Sequence, residues 1–312
     1  MDDLQKSIMA TLIYYDIFDY PLSRDEVFNY LIKTFPRSVV AKKDLVGRSL
    51  ADLIKKNKID LNGDYYFLPN REYLIPLRKK KDNILNKKIK RTRLAVSLMS
   101  FLPFIKAVFA SGSLATGSTD ELSDLDVLVV VKHGRMWTAR FLIVVLMSLV
   151  GIRRKPTDKI APDKICLNHY ITDKSLHIDL KSVYNAQTYS RLIPLLVREE
   201  AIVDEFKEKN KWVLDCVQKW NFNSNQHKRA SMVSRAISFL FERALSFYWI
   251  GGVVESKTKN IQLGRIIKNP LTYKEGSKVV YCDERLEFHP DSPEKYIIKK
   301  YGDKLSDLGI VV

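Results

Sequence analysis

The chain has 312 residues, with 52 Lys+Arg against 36 Asp+Glu and 46% hydrophobic residues. This is an ordinary globular composition, long enough for two or three small domains with real cores. Cys166, Cys216 and Cys282 lie far apart in sequence and suggest neither a zinc cluster nor a disulfide framework, while the net charge of +16 points to a polyanionic partner.

Residues 1–70 read as a separate small domain. Leu4, Ile8, Leu12 and Ile13 fall at helical spacing, and Tyr20-Pro21-Leu22 interrupts the helix. Ser23 and Glu26 form a capping box for a second helix carrying Val27, Tyr30 and Leu31. After Phe35-Pro36 a third helix is expected over about 43–57, with Leu45, Leu50, Leu53 and Ile54 inward. Residues 59–68 alternate around Asn62-Gly63, a hairpin signal. Three helices and a hairpin of this size resemble a winged helix. That resemblance implies either DNA contact, through Lys42, Lys43, Arg48, Lys55 and Lys56, or a packing and docking role. Asp44, Asp52, Asp60 and Asp64 weigh toward docking.

Residues 71–103 form a basic hinge. Between Arg71 and Arg93 stand ten Lys/Arg against Glu72 and Asp82. Leu77, Ile84, Leu85, Ile89, Leu94 and Leu98 keep helical spacing, so one long amphipathic helix is expected with its cations outward. It is either a solvated face or a wall for a nucleic-acid backbone, with Lys79, Lys80, Lys87, Lys88 and Arg91 as the contacts.

Residues 104–181 carry the chemistry. Ile105 to Ala110 reads as a strand ending at Gly112-Ser113, and a second strand starts at Asp124-Leu125-Asp126 and runs to Val131. Residues two apart in a strand share a face, so Asp124 and Asp126 set two carboxylates side by side. Such a pair needs a cation between its members. Gly112 allows close backbone approach to a ligand, and Ser113 opens a helix whose free N–H groups suit a phosphate. Trp137 to Val150 is a strongly apolar buried helix, Phe141 to Val150 being too short to span a bilayer. Residues 151–156 close it with a basic cluster that includes Arg153 and Arg154. Lys164 to Ile171 and Leu176 to Leu180 read as strands.

The Gly112-Ser113 turn, the spacer and the Asp124-x-Asp126 strand resemble the DNA polymerase β-like nucleotidyltransferase superfamily. The resemblance implies that Asp124 and Asp126 hold two divalent ions, Mg²⁺ or Mn²⁺, and that Gly112, Ser113 and nearby backbone hold the triphosphate of an NTP. It also implies a third carboxylate from a later strand, ligand and base together. Asp179, between Ile178 and Leu180, fits that pattern. The rival is the strand of Asn168, where an amide at the third position would weaken one metal site. The activity implied is transfer of an NMP to an acceptor hydroxyl, with RNA, a protein or a small alcohol as acceptor. A nucleotide-sensing, nucleic-acid-binding regulator and an antitoxin-like enzyme acting on a protein partner are the alternatives.

Residues 182–312 read as mainly helical, over 184–200, 201–220 and 227–251, with a polar link at 221–226. The run from Ala236 to Val254 carries Glu242 and Arg243 and is read as a buried helix. Gly251-Gly252 should loosen the backbone, residues 256–278 read as loop plus short helix, and Pro293 marks the first turn of a final helix. The expected fold is α+β: a small mixed-sheet core with a winged-helix-like unit before it and a helical domain after it. With no signal peptide read, the cytoplasm is expected and a membrane partner is not.

Overall fold

The computed structural model describes residues 1–34, 41–222, 230–290 and 292–310. Its N-terminal unit consists of α1 (Asp3–Asp16), β1 (Leu22–Ser23), α2 (Arg24–Asn29), α3 (Lys43–Lys55), β2 (Asp60–Asn62) and β3 (Tyr65–Phe67). The Ser23–Glu26 capping box forms with both of its hydrogen bonds. The hairpin turns at Gly63 with φ +57° and is joined by β1 into a three-stranded antiparallel sheet, β1-β3-β2. The inner face of α3 is Val46, Ser49, Leu50 and Leu53, while Leu45 points outward. Phe35-Pro36 lies outside the described residues.

This unit does not close its core alone. Ile297, Tyr301, Leu305 and Ile310 from the far end of the chain pack into it, as do Val183 and Tyr184. Arg191 lies 3.6 Å from the Tyr30 ring centroid and donates to the Tyr15 hydroxyl at 2.6 Å. A buried guanidinium so placed ties the N-terminal unit to the segment between residues 189 and 193.

The basic segment forms one helix, α4 (Leu74–Met99). Its cations do not all face outward. Arg78 is buried, pairs with Glu26 and Asp82, and lies 3.9 Å from the Tyr20 ring centroid. Lys81 donates to the Phe18 carbonyl. Lys88, 3% exposed, donates to the Ser123 carbonyl at 2.6 Å and to Asp163 at 3.1 Å. With Arg71, Lys80 and Arg91, which also pair with acids, six of the ten cations in the run are engaged within the chain, which the 3.6-residue period conceals because cations and apolar residues interleave.

The central sheet has six strands: β4 (Ile105–Ala110), β5 (Leu125–Val131), β6 (Ile165–Thr172), β7 (Ile193–Val197), β8 (Lys278–Tyr281) and β9 (Arg285–His289), in the order β7-β4-β5-β6-β9-β8. Only β5 and β6 pair in parallel, and the crossover between them is the helix over Met136–Leu149. Both faces of the sheet are covered. Leu125, Val127, Val129 and Val131 enter one core and Leu128 and Val130 the other, which is why β5 reads as a continuous apolar run.

Helices α5 (Gly112–Thr116), α6 (Met136–Leu149), α7 (Val183–Tyr189), α8 (Ala201–Lys209), α9 (Val213–Cys216), α10 (Met232–Ser246), α11 (Tyr248–Ile267) and α12 (Glu294–Ser306) complete the chain. Several sequence readings change, and one is at 256–267, which continues α11 and is not a loop. Residues 184–200 hold α7 and then β7, because the short apolar run Ile193–Val197 pairs with β4. Leu176–Leu180 is not a strand. Residues 278–289 form a hairpin, β8–β9, that extends the sheet beside β6. Ala236–Val254 is not a buried helix: it breaks at Phe247, its two halves bend by 93°, and Gly251-Gly252 lies inside α11. No single helix among the described residues is long and apolar enough to cross a membrane. Most of the polar link at 221–226 and the beginning of the 227–251 stretch lie outside the described residues.

Candidate active site

At the end of β4 the chain turns sharply into α5. Gly112 has φ +55°, and a Cβ there would lie 2.5 Å from Asp126 Oδ2. Both the conformation and the close approach require glycine. The Ser111 amide donates to the Asp126 carbonyl at 3.0 Å, which locks the turn against β5. The loop before β5 is organised by Asp120, whose Oδ1 accepts from the amides of Leu122 and Ser123 at 2.9 and 2.8 Å. Lys88 holds the same loop from α4 through the Ser123 carbonyl. Asp124 therefore reaches the edge of the sheet on a braced turn, one residue before β5 begins.

Asp124, Asp126 and Cys166 each present a ligand atom within 4.8 Å of the others. Burial and the neighbouring Asp124 charge push the Asp126 carboxyl up to about 7. Burial, then the Asp126 and Asp124 charges, push the Cys166 thiol well above its usual range. Arg154 NH1 is paired with Asp124 Oδ2. These are the properties of a site with more negative charge than its surroundings cancel. Two converging carboxylates fit a hard divalent cation; a thiol does not add to such a site.

The side chain that the neighbouring strand sets against Asp126 is an amide. Asn168, on β6 beside β5, donates from Nδ2 to Asp126 Oδ1 at 3.1 Å and lies 3.4 Å from His289 Nδ1. Burial, and then the neighbouring His169 ring, push His289 down to about 4. Asp179 is not brought to this cluster. It lies in the loop after β6, 63% exposed, paired with Arg285 and 3.8 Å from His177 Nε2. The alternation in 176–180 suggests a strand, but that stretch makes no ladder, and the half-buried Arg285 guanidinium has taken the Asp179 carboxylate. Arg154 and Cys166 were missed from sequence. Arg154 stood in a recognised basic cluster, and only the parallel β5–β6 register, which sets Asp126 against Cys166, reveals the thiol's position.

The nucleic-acid candidates divide. Lys79 and Lys87 are exposed, Lys80 is exposed but 3.1 Å from Glu121, and Arg91 pairs with Asp163. Lys88 is buried and structural, which removes it from any interface.

No curated protein and no solved structure matches the chain. Residues 89–211 match the family model described as nucleotidyltransferase domain. That span covers the Gly112 turn, both aspartates, β4 to β7 and the Asn168 strand. The match implies a transferase that moves a nucleoside monophosphate from an NTP, and with it a divalent metal at the acidic pair. Residues 89–211 are a nucleotidyltransferase domain of the DNA polymerase β-like kind.

Proposed function

We propose that this chain transfers an NMP from an NTP to an acceptor hydroxyl at the Gly112–Asp124–Asp126 site and releases pyrophosphate. The observation that carries the reading is the packing of Gly112, at φ +55°, directly against the Asp126 carboxylate. A phosphate drawn to the turn is thereby held beside the carboxylate pair. Asp124 and Asp126 would hold Mg²⁺ or Mn²⁺, which supplies charge neutralisation at the reacting phosphate and the attacking oxygen. Ser113 follows the glycine at the start of α5 and offers its hydroxyl to the triphosphate. Asn168 orients Asp126 through its amide. Arg154, paired with Asp124, would be free to meet a phosphate where a cation holds that carboxylate.

The exposed Lys79 and Lys87 on α4 support RNA as the acceptor. A second reading has one specific support. An amide at the third position cannot serve as an anionic ligand or a base. That favours a domain that binds nucleotide and signals through the N-terminal unit. The test is label transfer from each α-labelled NTP, with Mg²⁺ and a host extract, against the Asp124→Asn variant. Label in the RNA, protein or small-molecule fraction, absent from the variant, supports transfer and names the acceptor. MgNTP binding without transfer to any fraction supports the sensing domain.

A further inference from the structure

Helix α10 and the first turn of α11 are amphipathic the wrong way round for water, while farther along α11 packs Leu263 and Ile266 against the sheet core. On α10 the stripe facing the sheet domain is largely polar. Ser238 Oγ donates to the Leu102 carbonyl at 3.0 Å, and Glu242 accepts from the Phe104 amide at 2.7 Å and pairs with Arg198 at 3.3 Å. On α11, Glu255 accepts from the amides of Trp137 and Thr138, both at 2.9 Å, and so caps α6. Gln262 donates to the Trp137 carbonyl at 2.7 Å and accepts from Arg140 at 2.6 Å. The outer face carries Phe239, Leu240, Phe241, Phe247, Trp249 and Ile250, each more than half exposed. A helix turns its apolar face toward its apolar neighbour. Among the described residues this face stays open to water, and a patch of this kind marks an interaction surface.

The charges say which neighbour. Glu242 and Glu255 are the only acids on the two helices, and both are turned inward. Arg235, Arg243, Lys257 and Arg265 are exposed. Two copies of a chain with net charge +16 would bring like charges together across this face. Anionic headgroups complement it, and aromatic residues beside Lys and Arg are the composition of helices that lie in a lipid interface. The two helices, of 15 and 20 residues, are bent by 93°. We infer that the α10–α11 pair seats this chain on an anionic lipid surface, its aromatic corner in the headgroup layer and its cations on the phosphates. This reverses the sequence-level expectation of no membrane partner and is independent of the transfer chemistry.

The chain carries its own reporter. Of its four tryptophans, Trp137 and Trp212 are buried, Trp220 is half-buried and Trp249 is 75% exposed. The full chain is mixed with sonicated vesicles of phosphatidylcholine alone, or with a quarter phosphatidylglycerol, at about 0.1 M salt. Sedimentation and tryptophan emission are then read. The expected result is partition about tenfold or more tighter into the anionic vesicles, with a blue shift lost in Trp249→Phe. Phe247→Ser with Trp249→Ser should lower partition about tenfold or more while leaving the vesicle-free melting curve unchanged. Arg235→Glu with Arg243→Glu should remove the anionic preference. No partition into anionic vesicles overturns the inference, and so does equal partition into both compositions. A concentration-dependent dimer that ignores vesicles and is dissolved by the Phe247→Ser, Trp249→Ser pair overturns it in favour of a second copy.

Discussion

Replacing Asp126 with asparagine should stabilise the metal-free protein while abolishing its response to metal. The carboxyl of Asp126 sits against Asp124 and is pushed from 3.8 in its ordinary state to about 7 by burial and that neighbouring charge. The unfolded chain releases this proton near 3.8 and the folded chain only near 7. Between those values the folded state holds the extra proton, so stability falls as pH rises through the window and the full cost is present above it. That difference corresponds to about 4 kcal/mol. Asparagine keeps an oxygen for the Asn168 amide and removes the charge, but its own amide is still desolvated. The expected net gain at pH 8 is roughly 1–3 kcal/mol. Urea unfolding in EDTA, for both proteins from pH 4.5 to 8.5, measures it. The gap should be largest at pH 8 and should close toward pH 4.5. Mn²⁺ should raise the wild-type midpoint and leave the variant unmoved. A variant less stable than wild type at pH 8, or a gap independent of pH, would refute the account of uncancelled charge.

Asp179→Asn should leave metal affinity and transfer rate within about twofold of wild type, since it alters only an exposed pair with Arg285; a large loss of rate would return Asp179 to the site. Asn168→Asp should do two opposite things, weakening the metal-free protein by about 1–2 kcal/mol and tightening Mn²⁺ by about tenfold, as titration calorimetry would read. Lys88→Met should cost about 1–3 kcal/mol in urea unfolding, because it strips the Ser123 carbonyl of its donor at 2.6 Å. Lys79→Glu with Lys87→Glu should leave stability within about 0.5 kcal/mol and flatten the salt dependence of any RNA binding; an unchanged slope would make this face merely solvated. Finally, burial and the Arg285 cation push His169 down to about 3. The unfolded chain takes a proton on this ring near 6.5, so the stability is complete above that pH and is lost as pH falls toward 3, by about 1.4 kcal/mol per unit. His169→Gln should flatten the acid limb of the stability profile.

Local features were legible in the sequence where one short-range rule decides the outcome. The capping box at Ser23–Glu26, the Gly63 turn, β4, β5 and the apolar α6 all follow from spacing or from turn chemistry. So does the meeting of Gly112 with the Asp124–Asp126 pair, because a strand, a tight turn and a returning antiparallel strand leave little freedom. Tertiary structure decided everything that depends on which elements become neighbours. Asn168 rather than Asp179 stands beside Asp126, because β6 adds in parallel to β5 while residues 176–180 join no ladder. Lys88 turned from a candidate phosphate contact into a buried brace when the loop before Asp124 came to lie over α4. The run from Ala236 to Val254 has the same apolar content whether it faces a core or the outside. The inward hydrogen bonds of Ser238 to the Leu102 carbonyl and of Glu242 to the Phe104 amide fix its direction, and those two partners lie more than a hundred residues away in the chain.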